Sequence, residues 1–182
     1  MTKGAVGFST YKGKGFFKLL AKAIKYFTHG KWSHSFLIIN DSDKPERLLV
    51  QEAGNFGVYI VSFKKYLTDK YDISVYAPLV EKNAIDQSID LLAEDLEEPY
   101  GYLQLLGFIW VWIVRKLFKK KIKNPITGGI ICSEEVLYHL KNIRIDERFD
   151  KMDDNTTDPN MIYEIVLDSK FKELKLKEKK SD

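Results

Sequence analysis

The chain has 182 residues, of which 45% are hydrophobic and 30% charged, enough for one domain of ordinary size with a full core. Its net charge of +3, from 29 basic and 26 acidic residues, is too balanced to indicate a nucleic-acid partner. A single cysteine excludes an internal disulfide and a cysteine-rich zinc site, and the N-terminus lacks the pattern of a cleavable signal peptide.

The first half of the chain predicts one helix among several short strands. Apolar and β-branched runs alternate with turn residues, and one basic segment has apolar residues at helical spacing. The predicted elements are a strand at 5–11, a helix at 16–27, strands at 34–40, 48–53 and 58–61, a short helix at 62–67 that Ser62 caps, and a strand at 71–76. The strands from 34 to 61 form an antiparallel meander.

The second half predicts mainly helices. The predicted elements are a helix at 83–97, a strongly apolar run at 102–118, a helix at 132–141, a charged loop at 146–158, a strand at 161–167 and a charged, flexible tail at 170–182. Strands and helices do not alternate regularly, so the pattern predicts an α+β fold with an antiparallel sheet or small barrel packed against helices. A single catalytic domain is expected over 1–169.

The only cysteine, Cys132, is predicted to begin a helix. Gly128 and Gly129 precede it, and an acid-rich first turn follows. Helix N-termini carry unpaired N–H groups and partial positive charge, which stabilise a thiolate. Cys132 is therefore either a small buried hydrophobic residue or a nucleophile, and its partners decide between the two.

The base and orienting group that such a nucleophile needs are predicted on the meander. His34 opens one strand and Glu52 lies near the end of the next, so the hairpin makes them cross-strand neighbours. Glu52 would fix the tautomer of the ring, and the second ring nitrogen would face Cys132. His29 and His139 are interpreted as structural, since one ends a helix and the other lies two turns beyond Cys132.

Competing chemistries have weak support in the sequence. The chain has no Gly-x-Ser-x-Gly elbow, no Gly-x-x-x-x-Gly-Lys loop and no His-Glu-x-x-His motif. With three scattered histidines a metal centre is not expected, and the proposed chemistry needs no cofactor.

Five short motifs occur in an informative order. They are Ser33-His34-Ser35-Phe36, then Val50-Gln51-Glu52-Ala53, Glu98-Pro99-Tyr100-Gly101, Cys132-Ser133-Glu134 and Thr157-Asp158-Pro159. In this order of histidine strand, glutamate strand and late cysteine helix, residues 4–167 resemble the circularly permuted branch of the NlpC-like, papain-fold cysteine hydrolases. The chain departs from that pattern in its lysine-rich first helix, in Gly4-Ala5-Val6-Gly7 where Gly-Asp is usual, and in Glu135, where an apolar residue is common.

The resemblance implies a papain-like fold in which Cys132 is the nucleophile, His34 the base and Glu52 the orienting residue. It also implies substrate or oxyanion contacts at Tyr100 and Ser133. The expected reaction is cleavage of an amide bond, in a peptide or a peptidoglycan stem, through an acyl-enzyme. Two alternatives stay open: a lipid acyltransferase or thioesterase at a membrane surface, related to lecithin:retinol acyltransferase-like proteins, and a catalytically silent structural or binding protein, for instance in a virus particle.

The apolar run at 102–118 has two interpretations. Its uncharged core of about thirteen residues is short of the roughly twenty that span a bilayer, so a buried core helix is favoured. The alternative is an interfacial segment, because Trp110, Trp112 and the lysines that follow suit a headgroup boundary, and the basic helix with Phe16 and Phe17 would join the same surface. The expected location is cytoplasmic, or in a virion or its host, with peripheral membrane contact as the second interpretation.

Overall fold

A computed structural model of the chain describes residues 2–54, 57–96, 98 and 130–175. Within these residues the fold is α+β. The strands are β1 (Val6–Tyr11), β2 (His34–Ile38), β3 (Leu49–Gly54), β4 (Gly57–Ser62), β5 (Tyr71–Pro78) and β6 (Phe171–Glu173). The α-helices are α1 (Phe16–Thr28), α2 (Lys82–Leu92), α3 (Cys132–Asn142), α4 (Glu147–Asp150) and α5 (Pro159–Leu167).

The six strands form one open antiparallel sheet in the order β4-β3-β2-β1-β5-β6. The predicted meander is confirmed, because β2, β3 and β4 are neighbours in sequence and in the sheet. Of the two predicted arrangements, open sheet and small barrel, the described residues form the open sheet. β1 lies inside it, between β2 and β5, so the N-terminal strand holds the two halves together.

Both faces of the sheet are buried, and neighbouring residues of one strand belong to different cores. Leu37 packs in a cluster with side chains of α2, α3 and α5, whereas Phe36 packs in a second cluster with Phe63 and Tyr66 of a 3-10 turn, Phe63–Tyr66. This alternation follows from the two-residue period of a strand. The sheet therefore separates a helical layer from a face that the turn Phe63–Tyr66 covers.

The segment 161–167, predicted as a strand, is helical, so that prediction is wrong. Pro159 is the first residue of α5, and the Asp158 side chain accepts hydrogen bonds from the backbone N–H groups of Asn160 and Met161. An Asp cap followed by Pro is a strong helix start. The buried residues Ile162 and Val166 lie four apart, on one helical face, which outweighs the β-branched composition.

Three other predicted boundaries also differ from the structure. Phe171–Glu173, near the start of the tail expected over 170–182, form β6, which pairs with β5, and Phe171 packs against the core cluster that contains Leu37. The predicted loop at 146–158 contains α4 and a 3-10 turn, Asp154–Thr156, and α2 ends at Leu92 before a 3-10 turn, Ala93–Asp95. The predicted apolar run at 102–118 lies outside the described residues, and no described helix is long and apolar enough to span a bilayer.

Candidate active site

His34 and Glu52 project from the same face of the sheet. The register pairs Ile38 with Val50; His34 lies four residues before Ile38 and Glu52 two residues after Val50. Both steps are even, so the two side chains share a face, and they approach each other diagonally across the strands. His34 Nε2 lies 3.0 Å from Glu52 Oε2. The predicted pairing of these residues is therefore present as a hydrogen-bonded ion pair.

Cys132 is the first residue of α3. We call Cys132, His34 and Glu52 together the row. Cys132 acts on the His34 ring through its charge and a side-chain hydrogen bond, which raise the pKa of the ring; since Nε2 bonds to Glu52, Nδ1 is the ring nitrogen available to the thiol. The hydroxyl of Ser35, next to His34, donates to the Cys132 carbonyl oxygen at 3.0 Å. The helix start is thereby fixed to the strand that carries His34, and the structure brings together Cys132, His34 and Glu52.

Glu52 has two further partners, which sequence reasoning missed. Lys65 Nζ bonds to Glu52 Oε1 and Tyr66 OH donates to Glu52 Oε2. The Tyr66 ring stacks on Phe36 with centroids 4.3 Å apart, so the phenol is held by packing. The sequence predicts the short helix that Ser62 caps, and the position of this helix is confirmed. It does not indicate that the Lys65 and Tyr66 side chains of this helix point toward Glu52.

The electrostatics of the row keep both partners ionised. Burial lowers the pKa of His34, but the charge and hydrogen bond of Cys132, together with Glu52, outweigh it and raise the pKa of His34 to about 9. Burial would raise the pKa of Glu52, and the hydrogen bond and charge of His34 and the ammonium of Lys65 hold it far below its usual range. The His34 ring is thus an imidazolium at neutral pH, held between an ionised Glu52 carboxylate and the Cys132 side chain.

A pocket of about 300 Å³ opens beside this row. His34 and Glu52 contribute to its wall, and Cys132, which is 7% exposed, does not. The other walls are aromatic and apolar, from the sheet and from α1; they include Tyr11, Tyr59, Tyr71, Phe17, Leu20 and Ile24. Access to the row is therefore lined by apolar groups, with Lys65 as the additional cation.

The turn before α5 connects the two halves of the site. The Ser133 hydroxyl donates to the Thr157 carbonyl oxygen at 2.8 Å, next to the Cys132 position. Asn160 receives the Trp32 N–H on Oδ1 at 2.7 Å and donates through Nδ2 to the Trp32 carbonyl at 2.8 Å, two residues before His34. One short segment thus positions both the helix and the strand, and sequence reasoning did not assign this role to Asn160.

The remaining predicted site residues have other surroundings. The Ser133 side chain is buried, and its hydroxyl donates a hydrogen bond to the Thr157 carbonyl oxygen. It does not line the pocket. Tyr100 lies outside the described residues. His29 caps the C-terminus of α1 in a left-handed conformation, in keeping with its structural interpretation.

A second buried polar group lies on α3, behind the row. His139 is fully buried; Ser88 Oγ lies 2.8 Å from its Nδ1 and Gly4 O lies 3.2 Å from its Nε2. Burial lowers the pKa of His139 to about 4, against a weaker effect of the Gly4 carbonyl.

Glu135, one turn earlier, is 2% exposed, and burial raises the pKa of its carboxyl to about 8. Neither carboxyl oxygen of Glu135 has a hydrogen-bond partner among the described residues. The charge of His34 and the Gln51 amide, which donates to the Leu92 carbonyl, act against the rise in pKa without cancelling it.

Comparison with protein-family models, with curated proteins and with solved structures finds no match to the chain. Within the described ranges, no group of three or more histidine, cysteine, aspartate or glutamate side chains could hold a metal ion. The functional interpretation therefore rests on the side chains themselves. A thiol at a helix start, an imidazole and a carboxylate in a row can carry out nucleophilic acyl transfer.

Proposed function

We propose that the chain is a cysteine hydrolase that cleaves an amide bond, in a peptide or a peptidoglycan stem, through an acyl-enzyme. The observation that carries this proposal is the 3.0 Å hydrogen bond between His34 and Glu52, together with the Cys132 side chain, which raises the pKa of the same imidazole. The chain order of these residues, with the antiparallel α+β fold, also supports membership of the circularly permuted NlpC-like, papain-fold branch.

In the proposed first step, the Cys132 thiolate attacks the carbonyl carbon and the π electrons move to oxygen. Backbone N–H groups at the start of α3 stabilise this oxyanion, a contribution worth about a hundredfold in rate or more. The oxyanion collapses, the carbon–nitrogen bond breaks, and the His34 imidazolium gives its proton to the leaving amine. The product is a thioester between Cys132 and the acyl group.

In the second step, neutral His34 removes a proton from water, which attacks the thioester. The carbon–sulfur bond breaks, the acid leaves, and the thiolate–imidazolium pair is restored. Glu52 stays ionised throughout; it holds Nε2–H and stabilises the imidazolium. Lys65 and Tyr66 act through Glu52, so they are positioning residues.

A second candidate function is acyl transfer or thioester cleavage on a lipid. The apolar wall that Phe17, Leu20 and Ile24 contribute to the pocket favours it, because an acyl chain would be sheltered from water there. The chemistry at Cys132 would be the same, with a second substrate in place of water for a transferase. In either case the free thiol favours a reducing compartment.

The nucleophile assignment is tested by the rate at which iodoacetamide alkylates Cys132 between pH 6 and pH 9, followed by mass spectrometry. Wild-type protein should react faster than glutathione at the acidic end, and His34→Ala should react at least about tenfold more slowly than wild type. His29→Ala is the matched control and should leave the rate unchanged. Equal rates for wild type and His34→Ala would refute the paired thiolate.

The substrate class is tested by trapping the acyl group on Cys132. Peptide p-nitroanilides and p-nitrophenyl esters of short and long fatty acids are offered to the wild-type protein, and the mass of the modified cysteine is measured. Acylation by peptides supports the amidase; acylation that grows with chain length supports the lipid alternative. A paired, reactive thiol that no acyl donor modifies would indicate the catalytically silent alternative.

A further inference from the structure

The start of α1 presents large apolar side chains to solvent. Phe16, Phe17 and Leu19 are 68%, 45% and 66% exposed, respectively. Phe16 and Leu19 are three residues apart and share one side of the helix. We name these three residues the α1 tip. Exposed apolar groups that cluster in one turn are a feature of interaction surfaces.

The surroundings of the α1 tip are strongly basic. The first 40 residues contain seven lysines and no acidic residue, although the whole chain has a net charge of only +3. Lys14, Lys18 and Lys22 are exposed in and next to the first turns of α1, whereas Lys12 pairs with Asp72 at 2.7 Å. The partner that complements this surface therefore carries negative charge next to an apolar layer.

We propose that the α1 tip docks on an anionic membrane surface, with Phe16 and Leu19 inserted among the lipids and the lysines at the headgroups. A helix with an apolar edge and lysines beside it suits this boundary. Each lysine near an anionic surface adds an attraction that salt weakens. An acidic protein would complement the lysines but offers no continuous apolar layer to bury both exposed side chains.

The docked orientation would bring the pocket to the lipid. Phe17 belongs to the α1 tip and also lines the pocket, together with Leu20 and Ile24 of the same helix. The membrane-facing edge and the pocket wall are therefore continuous along α1. Docking itself needs no chemistry at Cys132, so it holds or fails independently of the proposed function.

The test is co-sedimentation of the full chain with vesicles of equal parts phosphatidylglycerol and phosphatidylcholine, compared with pure phosphatidylcholine. We expect binding to the anionic vesicles at low salt, weakening at high salt. The double variant Phe16→Ser/Leu19→Ser should bind at least about tenfold more weakly, because two large apolar side chains are no longer buried among the lipids. Leu79→Ser/Leu167→Ser removes two side chains that are equally exposed elsewhere and should bind like wild type.

The charge contribution has its own matched pair. Lys14→Glu/Lys18→Glu should bind at least about tenfold more weakly, and Lys64→Glu/Lys82→Glu, the same charge change at exposed positions outside α1, should have a much smaller effect. Cys132→Ala should bind like wild type, which separates docking from catalysis. Absence of binding to anionic vesicles at low salt, binding that the tip variants leave intact, or a tip-dependent dimer in light scattering that excludes vesicles would each overturn the proposal.

Discussion

The molecule contains two buried polar regions in which the pKa values of a histidine and a glutamate shift in opposite directions. Around His34 and Glu52, a base and an acid contact each other, and the pKa of His34 rises to about 9 while that of Glu52 falls far below its usual range. On α3, His139 and Glu135 lie one turn apart; burial dominates at both, although the charge of His34 acts against it at Glu135, and their pKa values move to about 4 and about 8. The first region is ionised at neutral pH and the second is uncharged.

The difference shows that partners, more than burial, set the charge of a buried group. Burial acts against the charged form in both regions. It prevails at His139, whose contacts are the Ser88 hydroxyl and the Gly4 carbonyl. It is outweighed at His34, where the Cys132 thiol and the Glu52 carboxylate both favour the imidazolium. A proton-transferring role therefore belongs to His34 and a structural role to His139.

The largest effect is expected from Glu135→Gln. The folded-state pKa of Glu135 is about 8, above that of an exposed glutamate, so the folded state binds the extra proton and stability falls as pH rises from about 4.5 to 8. The full loss is about 5 kcal/mol, and the amide variant should remove it. Urea denaturation across this pH range measures it, with the exposed Glu147→Gln as control. An unchanged pH slope in Glu135→Gln would place the unfavourable charge elsewhere.

The next largest effect is a loss of folding stability at acidic pH. The pKa of His139 is lowered to about 4, so the unfolded state binds the proton first and stability falls as pH drops from about 6.5 to 4. The contribution is about 3 kcal/mol. His139→Gln should flatten this part of the stability curve, and His29→Gln, at an exposed helix end, should not. An NMR titration that gives the His139 ring a pKa near 6.5 would contradict the claim that burial keeps this side chain uncharged.

A smaller effect should distinguish the ionised region. Glu52→Gln removes the carboxylate beside His34, so the pKa of His34 should fall from about 9 by about two units. The ring signals of His34 in an NMR titration report this directly, and His139 should keep its value. Glu46→Gln, an exposed carboxylate nearby in sequence, is the control. If the pKa of His34 is the same in Glu52→Gln as in wild type, Glu52 does not contribute to the shift and Cys132 alone causes it.

Much of the site could be predicted from the sequence because strand geometry is local. The pairing of His34 with Glu52 follows from the positions of two short strands and the turn between them. The start of α3 at Cys132 follows from two glycines and an acid-rich first turn. In each case a few neighbouring residues fix the backbone, and the backbone fixes the side-chain direction.

The parts that were missed depend on contacts between distant segments. Lys65 and Tyr66 reach Glu52 because the turn after β4 folds back over the sheet, which no local pattern encodes. The prediction of a strand at 161–167 is wrong because Asp158 and Pro159 start a helix, and that helix buries one face of the segment. The edge strand β6 was missed because its charges, typical of a tail, are also typical of exposed sheet edges.

The Asn160 contact also has a consequence for the order of folding. Asn160 is separated from Trp32 by 128 positions, yet its amide holds both polar backbone groups of the residue that leads into the histidine strand. During synthesis β1 to β5 emerge long before this amide does. We therefore expect the thiol to gain its oriented base only after the last helix has docked, so that a nascent or shortened chain carries an unactivated cysteine.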